Sequence, residues 1–319
     1  MIEREWKARD PQKVFFPVEL RPVYMEHSGI KDKYRQLPKH VAVVDVKKNY
    51  PFAVVTNNYK LITNEEAYNQ ANIIMEHIFQ NTKIDDMACL NIIMPRSRSF
   101  CHIDLIHESS NFLFEKDKWT AFLRITNSYN RTRLLRYNLG FCRWICLNGM
   151  IFGQKSVEFS YVHTHQQMGK IKRFAESIGD IRQLENQLIE KFHHLKRYYI
   201  PESEMLPILC RVFDIKATND DLNKPNQTKR LQNFYSHATK TIKSYFSDMG
   251  PHGYAALNVI SDYASYPKGV IAPETRVNSL QQKCGKWIDE FVTAIQDKNF
   301  SFDNYLADYR ETVNVLERF

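Results

Sequence analysis

Glycine and long apolar runs are both scarce in this sequence. It has 10 glycines among 319 residues, and neither G-x-x-x-x-G-K-S/T nor G-x-G-x-x-G occurs, so we expect no phosphate-cradling loop. The apolar run around Met150–Gly153 is much shorter than the ~20 residues of a membrane span. The charged N-terminus, Met1–Lys7, lacks the apolar core of a secretory signal. These absences predict a cytoplasmic protein without a membrane span.

Closely paired cysteines are also missing. The six cysteines show no C-x-x-C spacing, which favours free thiols in a reducing compartment. Cys142 and Cys146 precede His163 and His165, but this spacing matches no common zinc module, and the two histidines suit a solvated strand face. We predict neither a metal nor another cofactor.

Acidic residues are outnumbered, and their distribution is uneven. Lys and Arg total 44 against 36 Asp and Glu, a net charge of +8, which favours acidic partners such as nucleic acid. From Trp119 to Val157 there is no Asp or Glu at all. The same segment holds six cations: Arg124, Arg131, Arg133, Arg136, Arg143 and Lys155.

Strand patterns dominate the chain up to about residue 162. Alternating and β-branched residues predict strands at His40–Val46, Ala53–Val55, Tyr59–Ile62, Leu90–Met94, Cys101–His107 and Trp119–Thr126. Asn57 and Asn58 predict a tight hairpin turn because Asn tolerates positive φ. One helix follows, with Thr63 or Asn64 as its cap and an apolar face that includes Ala67 and Ile78.

After residue 165 the apolar period becomes 3.6. It predicts a long amphipathic helix from Met168 to Leu195, ended by Pro201, and a polar loop at Ala217–Thr228. Further helices are predicted at Glu202–Phe213, Lys229–Phe246, Tyr254–Tyr263, Asn278–Gln296 and Phe302–Glu317. We therefore predict an α+β fold: an N-terminal mixed or antiparallel sheet with one helix, and a C-terminal helical half. The predicted divisions are an N-terminal extension (1–39), a β-rich domain (40–162) and a helical domain (163–319).

The segment Leu123–Gly153 contains a signature. Phe141, Cys142 and Arg143 are followed by Cys146, Asn148 and Gly149. This resembles the "F-R-x-x-C-x-N-G" motif of a phage/plasmid-like protein family that is catalogued as a domain of unknown function. Pro51–Glu66 and Tyr254–Tyr263 are similar to its opening and closing motifs, although Tyr254 stands where that family usually has Trp. The resemblance spans roughly residues 40–295.

The resemblance implies a biological context more than a chemistry. Members of that family occur on phages, prophages and plasmids, often among recombination and anti-restriction functions. Such a context implies a protein of a mobile genetic element, present in the host cell cytoplasm if phage-encoded. It implies two alternative functions, which are nucleic-acid binding and inhibition of a host defence.

The signature also has a structural interpretation. Asn148-Gly149 is a turn dipeptide and predicts a hairpin between Phe141–Cys146 and Met150–Ser160. Strand alternation places Cys142, Trp144 and Cys146 on one face and Arg143 on the other. We predict that Trp144 and the cysteines belong to the core.

The acid-free segment interleaves arginines with aromatic residues. Guanidinium groups pair with phosphates, and flat rings stack on bases. A second pair of arginines falls in the predicted turn Pro95–Arg98. The alternative is that the arginines pair with acids of the helical half or remain solvated. The predicted nucleic-acid or partner-binding residues are Arg96, Arg98, Arg124, Tyr129, Arg131, Arg133, Arg136, Tyr137 and Arg143.

No catalytic constellation is recognisable. There is no Ser-His-Asp elbow, and strand alternation places Asp104 and His107 on opposite faces of their strand. We predict a protein that is not an enzyme and that binds nucleic acid, as a single-strand binder or annealer. The alternative function is an anti-defence protein that binds a host immune complex and blocks it sterically.

A homo-oligomer is expected under both functions. Aromatic residues are enriched at interfaces, and the stretch Tyr263–Arg276 resembles a projecting arm. The aromatic residues expected at the surface of the helical half are Tyr245, Phe246, Tyr254, Tyr263, Tyr266, Phe300, Phe302, Tyr305 and Tyr309.

Overall fold

Two antiparallel sheets form the N-terminal half and helices form the C-terminal half, which confirms the predicted α+β fold. The computed structural model describes residues 7–26, 34–79, 87–144, 148–151, 158–161, 173, 176, 181–269 and 273–319. The first sheet has the order β1-β2-β3 and consists of β1 (Val18–Glu26), β2 (Tyr34–Asp45) and β3 (Tyr50–Thr56). The second sheet consists of β4 (Met87–Ile93), β5 (Phe100–Phe114), β6 (Asp117–Ser128), β7 (Leu135–Arg143), β8 (Asn148–Ile151) and β9 (Glu158–Tyr161).

The strand order of the second sheet is β4-β5-β6-β7-β8, and β9 also pairs with β7. β8 pairs with the end of β7, and β9 pairs with its beginning, so both lie along the same edge. Every strand pair within the described residues is antiparallel. The predicted strands at Leu90–Met94, Cys101–His107 and Trp119–Thr126 correspond to β4, β5 and β6.

The first sheet differs from the prediction in two ways. The segment 1–39, predicted as an extension, supplies β1 and the beginning of β2. Asn57-Asn58 forms a turn, in which the Tyr59 N–H donates to the Thr56 carbonyl at 2.9 Å, but it is not a hairpin turn as predicted. The hairpin of this sheet reverses between Asp45 and Tyr50, where Asn49 adopts φ of 49°. Asn57 instead continues the pairing of β3 with β2, because its N–H donates to the Lys39 carbonyl at 3.2 Å. The predicted strand Tyr59–Ile62 is not a strand.

Helix α1 (Asn64–Ile78) begins as the sequence predicts. The Thr63 hydroxyl accepts from the Glu66 N–H, and the Glu66 carboxylate accepts from the Thr63 N–H, which forms a capping box. Ala67, Ala71 and Ile78 are buried on the face that packs against the second sheet. The apolar spacing therefore identified the buried face of this helix.

The remaining helices closely follow the predicted segments. Only Arg173 and Glu176 of the predicted segment 168–180 are described, and both are helical. The predicted loop Ala217–Thr228 contains a 3-10 turn at Asn219–Asn223 and the beginning of a helix. The predicted helix Phe302–Glu317 is interrupted by a 3-10 turn at Ala307–Tyr309. The helices are α2 (Ile181–Arg197), α3 (Glu202–Phe213), α4 (Pro225–Met249), α5 (Gly253–Ser265), α6 (Pro273–Ala294), α7 (Phe302–Leu306) and α8 (Arg310–Leu316).

The signature dipeptide Asn148-Gly149 lies in a strand and not in a turn, so that prediction is wrong. Asn148 pairs with Arg143, and Gly149 pairs with Cys142. A Cβ on Gly149 would lie 2.8 Å from the side-chain nitrogen of Gln281, and the Gly149 N–H donates to the Ser265 hydroxyl at 2.9 Å. The glycine therefore leaves space for the Gln281 side chain where β8 lies close to α5 and α6.

The other signature positions divide between the core and its margin. Cys142 is buried as predicted, whereas Trp144 is only half-buried, with the Lys118 ammonium 4.7 Å from its ring centroid. Trp144 therefore lies at the margin of a buried cluster that includes Phe122 and Cys142, because β7 ends at Arg143. Cys146 lies outside the described residues.

The main hydrophobic core joins the two halves of the chain, and two smaller clusters lie beside it in the described residues. It extends from Val14 to Leu316 and includes residues of the second sheet and of the helices. At its centre, the Phe192 ring of α2 lies 4.9 Å from Trp119 and 5.1 Å from Tyr254. The predicted β-rich and helical domains therefore share one core. Within the described ranges, no helix is both long and apolar enough to cross a membrane.

The aromatic residues that we expected on the surface of the helical half are not exposed. Tyr245, Phe246, Tyr254, Tyr263 and Tyr309 are buried, and the other four are half-buried. The stretch predicted as an arm also packs against the body in its described part, since Tyr263 donates to the Lys268 carbonyl and Arg230 donates to the Gly269 carbonyl. These rings therefore fill the core of one chain.

Candidate nucleic-acid interface

Arg124 lies inside the protein and not on a basic surface. Asp104 on β5 stands directly opposite Arg124 on β6. Nε and Nη2 of Arg124 donate to the two carboxylate oxygens of Asp104 at 2.6 Å each, and Nη1 donates to Oε1 of Gln281 on α6 at 2.6 Å. The Arg124 side chain is 1% exposed, so the prediction that it contacts a partner is wrong. Its charge is neutralised within the fold.

Arg143 is buried in a second network on the opposite face of the sheet. It contacts the Asp117 carboxylate, and Nη1 donates to Oδ1 of Asn258 at 3.1 Å. The Tyr254 hydroxyl donates to the other oxygen of Asp117 at 2.7 Å and accepts from Nε1 of Trp119 at 2.9 Å. Burial, together with the nearby Asp117 charge, raises the pKa of Tyr254. Arg143 therefore links β6 and β7 to α5.

The positions of Arg124 and Arg143 differ from both predictions, which were binding to a partner and pairing with acids of the helical half. The two arginines pair with carboxylates, as the alternative proposed, but Asp104 and Asp117 belong to the sheet and not to the helical half. The helices contribute neutral amides instead, from Asn258 and Gln281. These acids lie outside the acid-free segment Trp119–Val157, so only strand pairing brings them next to the arginines.

The two tyrosines of the predicted interface are also buried. The Tyr129 hydroxyl accepts from the N–H of Asn64, and its ring stacks on Phe52 with a centroid distance of 5.3 Å. The Tyr137 hydroxyl donates to the Ala67 carbonyl at 2.9 Å. Both rings have no exposed surface, so they are not available to stack on bases. They anchor α1 to the second sheet.

Arg133 and Arg136 are half-buried neighbours at the end of the second sheet. The Arg133 guanidinium lies 4.2 Å above the Phe100 ring, and Nη2 donates to the Thr275 carbonyl in the first turn of α6. Burial lowers the pKa of Arg133, and the charge of Arg136 lowers it further. Two positive charges therefore lie close together here, and Arg133 has no carboxylate partner within the described residues.

His102 lies in the same region and remains neutral. Nδ1 of its ring is 2.7 Å from the Thr126 hydroxyl, while Nε2 has no hydrogen-bond partner within the described residues. Burial lowers the pKa of His102 well below its usual value, and the charges of Arg124 and Arg133 act in the same direction. The local field therefore disfavours any additional cation.

The remaining predicted arginines lie in two adjacent turns. Arg96 and Arg131 are exposed, and Arg131 adopts φ of 60°. The N–H of Tyr129 donates to the Ser99 carbonyl at 2.8 Å, which holds the turn that contains Arg131 beside the turn that contains Arg96. Tertiary pairing therefore brings together two basic sites that are separate in the sequence.

Arg98 has a structural role in this region. Its guanidinium contacts the buried Asp45 carboxylate at 3.0 Å and lies 3.5 Å from the centroid of the Phe16 ring. The other oxygen of Asp45 accepts from the Lys48 N–H at 3.1 Å. Asp45 thus joins the hairpin turn of the first sheet to the Arg98 turn of the second sheet. Arg98 is occupied by this contact and is not a candidate for binding phosphate.

Sequence reasoning missed the part of this surface that the first sheet supplies. Lys47 and Lys48 are exposed in the turn between β2 and β3, and Tyr50, the next aromatic residue, is 54% exposed. The sequence Lys47-Lys48-Asn49 could have indicated an exposed basic turn, because Asn favours turns. We name the resulting surface the basic end, and it consists of Lys47, Lys48, Arg96, Arg131, Arg133 and Arg136.

The basic end has the groups that phosphate binding requires. Guanidinium groups donate several hydrogen bonds in a fixed fork, and lysines supply compact charges. The exposed Tyr50 ring adds a surface on which a base can stack. No group of three or more metal-ligating side chains is found in the described part of the chain, and the considered ligands Cys146, His163 and His165 lie outside it.

Comparison with curated proteins and with solved structures gives no match. One family model matches residues 51–283, a range that includes strand β3 from Pro51 onward, the whole second sheet, the buried arginine networks and helices α1 to α5. Since this match covers more than half of the chain, the protein belongs to the family described as domain of unknown function DUF932.

Proposed function

We propose that this protein binds single-stranded nucleic acid through the basic end and is not an enzyme. The observation that carries the proposal is the pair Arg133 and Arg136, which lie close together while Arg133 has no carboxylate partner within the described residues. Like charges at this distance repel each other, and a phosphate group would relieve that repulsion. The exposed arginines and lysines around the pair extend the surface along which a strand backbone could lie.

Single strands suit this surface better than duplexes. The exposed ring of Tyr50 lies in the same hairpin as Lys47 and Lys48, and an unpaired base offers its face to such a ring. The chain resembles a phage/plasmid-like family whose members often occur among recombination functions, and this resemblance supports a role of the binding on a mobile genetic element. Strand annealing in the host cell cytoplasm is the form of the function that we favour.

The test is a salt titration of oligothymidylate binding, measured by fluorescence anisotropy between about 50 and 200 mM salt. The variant carries Lys48→Ala, Arg96→Ala and Arg131→Ala, three exposed changes that leave the buried networks intact. Each lost phosphate contact flattens the slope of log K against log salt by about 0.7, so the expected change is about 2.

The matched control removes three exposed cations from the helical half, with Lys240→Ala, Lys243→Ala and Lys298→Ala. The control lowers the net charge by the same amount, so a general electrostatic effect would weaken both variants equally. The proposal predicts that only the basic-end variant loses affinity and slope. Equal slopes in the two variants would refute the assignment of the site.

A second candidate function is binding to another protein, which the exposed apolar residues of the first sheet favour. Tyr24, Met25 and Tyr34 are each more than half exposed in the paired strands β1 and β2, and Val54 is 50% exposed on β3. Exposed apolar surface of this kind often marks an interface. The partner in this candidate is a second copy of the chain or a host defence complex that the protein blocks.

Light scattering tests whether the first sheet mediates self-association. A Tyr24→Ser/Tyr34→Ser variant changes exposed positions on the hairpin, so its fold should be preserved. If the first sheet mediates self-association, the wild type exceeds 37.8 kDa at micromolar concentration and the variant does not. A wild type that remains monomeric with and without oligothymidylate would contradict assembly through this sheet.

A further inference from the structure

A large cavity lies in the helical half, away from the basic end. It occupies about 470 Å³ between the C-terminal end of α3, the N-terminal half of α4 and one face of α6. Three aromatic rings contribute to its apolar wall: Tyr263 lies 4.8 Å from Phe213 and 5.3 Å from Phe234 between ring centroids. The volume falls within the range of about 300–1,000 Å³ that is typical of small-molecule sites.

The polar part of the lining is strongly basic. Four cations line the cavity, from the residues Lys216, Arg230, Arg276 and Lys283. Asp214 is the single carboxylate among the described lining residues, and its Oδ1 accepts from the Tyr309 hydroxyl at 3.1 Å. The lining therefore carries four positive charges against one negative charge.

Within the described residues, no carboxylate pairs with the four cations of this lining. Lys283 donates to the Phe213 carbonyl at 3.2 Å. Arg230 donates to the Gly269 carbonyl at 3.2 Å and to the Gln227 amide oxygen at 2.9 Å. Lys216 and Arg276 make no ion pair within the described part of the chain, and the Lys216 ammonium lies 5.9 Å from the Tyr309 ring. Their charge is thus not neutralised by the fold.

Other cations of the helical half behave differently, which makes the cavity distinctive. Lys191 pairs with Asp289 at 2.5 Å, and Arg310 pairs with Glu204 at 2.8 Å. Lys286, on the same helix as Lys283, pairs with Glu290 at 3.0 Å. Acids are therefore available to the helices, but they are placed away from this lining.

We propose that the cavity binds a nucleoside phosphate. Its cations would pair with the phosphate oxygens, for which the fork of an arginine is well suited. The apolar wall formed by Phe213, Phe234 and Tyr263 would contact the base, which an inorganic anion does not need. The positive charge and the aromatic wall together match the two parts of a nucleoside phosphate.

The test uses ATP, inorganic pyrophosphate and adenosine as probes, without divalent cations, in isothermal titration with the full chain. The variant Lys216→Ala/Arg276→Ala removes two exposed lining cations. The matched control Lys240→Ala/Lys298→Ala removes two exposed cations that do not line the cavity. Circular dichroism and thermal unfolding confirm that each variant is folded before titration.

ATP should bind more tightly than pyrophosphate, because the base adds contacts, and adenosine should bind weakly. The lining variant should raise the Kd of ATP by at least about tenfold, whereas the control should leave it unchanged. ATP that does not bind, or that binds equally to both variants, would overturn the site. ATP that binds no more tightly than pyrophosphate would overturn the nucleoside assignment. The lining variant and its control both leave the basic end unchanged, so a loss of ATP binding in the lining variant alone assigns that binding to the cavity, whether or not the basic end binds a strand.

Discussion

Removing the Asp104 carboxylate tests whether the buried arginine network stabilises the fold. Asp104→Asn keeps the size of the side chain but leaves the Arg124 guanidinium without its negative partner, although the hydrogen bond to Gln281 remains. Both charged groups are almost fully buried, with exposed fractions of 1% and 4%. Breaking a buried pair by removing one partner costs about 3–5 kcal/mol, because an uncompensated charge remains in the interior.

The free energy of unfolding at pH 7, measured by urea titration, gives this loss directly. The matched control is Glu290→Gln, which breaks the exposed pair with Lys286, whose side chains are 69% and 52% exposed, and should cost less than about 1 kcal/mol. A second variant, Asp104→Leu/Arg124→Met, removes both charges and should recover much of the loss. If Asp104→Asn and the control have the same stability, the pair does not behave as a buried ion pair and the interpretation is refuted.

Three further predictions concern single residues of the fold. Because the pKa of His102 is lowered in the folded protein, the unfolded chain binds a proton at higher pH than the folded protein does. Between pH 7.5 and 5.5, the free energy of unfolding of the wild type should therefore fall by about 1.4 kcal/mol more than that of His102→Gln. Parallel pH profiles of the two proteins in urea unfolding would contradict this. Tyr254→Phe removes a hydroxyl that donates to Asp117 and accepts from Trp119, so a loss of about 1.5–3 kcal/mol is expected, and an unchanged urea midpoint would show that the hydroxyl is dispensable. Thr63→Ala removes the side-chain cap of α1 and should lower the free energy of unfolding by about 1 kcal/mol, whereas Thr63→Ser keeps the capping hydroxyl and should keep most of the stability. Equal stability of the two variants would argue against the capping box.

The helices were the most predictable part of the structure. A helix satisfies its backbone hydrogen bonds locally, so the apolar period and the cap are visible in consecutive residues. For this reason the predicted helix Glu202–Phe213 has the bounds of α3, and Thr63 caps α1. Turns of the sheets were less predictable. Asn57-Asn58 and Asn148-Gly149 have the composition of hairpin turns, but neither dipeptide connects two paired strands. Asn57-Asn58 forms a turn that ends β3, and Asn148-Gly149 lies within β8, because strand pairing is determined by the partner strand and not by local composition.

The candidate site was predicted only in part. The sequence singled out the density of arginines, and Arg96, Arg131, Arg133 and Arg136 lie together at one end of the second sheet. The lysines of the first sheet were missed because they are about 50 residues or more from these arginines in the sequence. Asp45 joins the two regions by contacting Arg98 and the N–H of Lys48, and no local pattern indicates such a contact.

The sequence by itself determined the α+β class, the positions of the helices and the excess of positive charge. It did not determine which arginines are exposed, because a guanidinium has the same local appearance in a strand whether it faces water or a carboxylate. That choice depends on the residue directly opposite in the next strand: Asp104 neutralises Arg124, whereas Arg133 meets an aromatic ring and a carbonyl. Strand register and helix docking are properties of the whole fold. The tertiary structure alone therefore separates the arginines that stabilise the interior from those that can bind a partner.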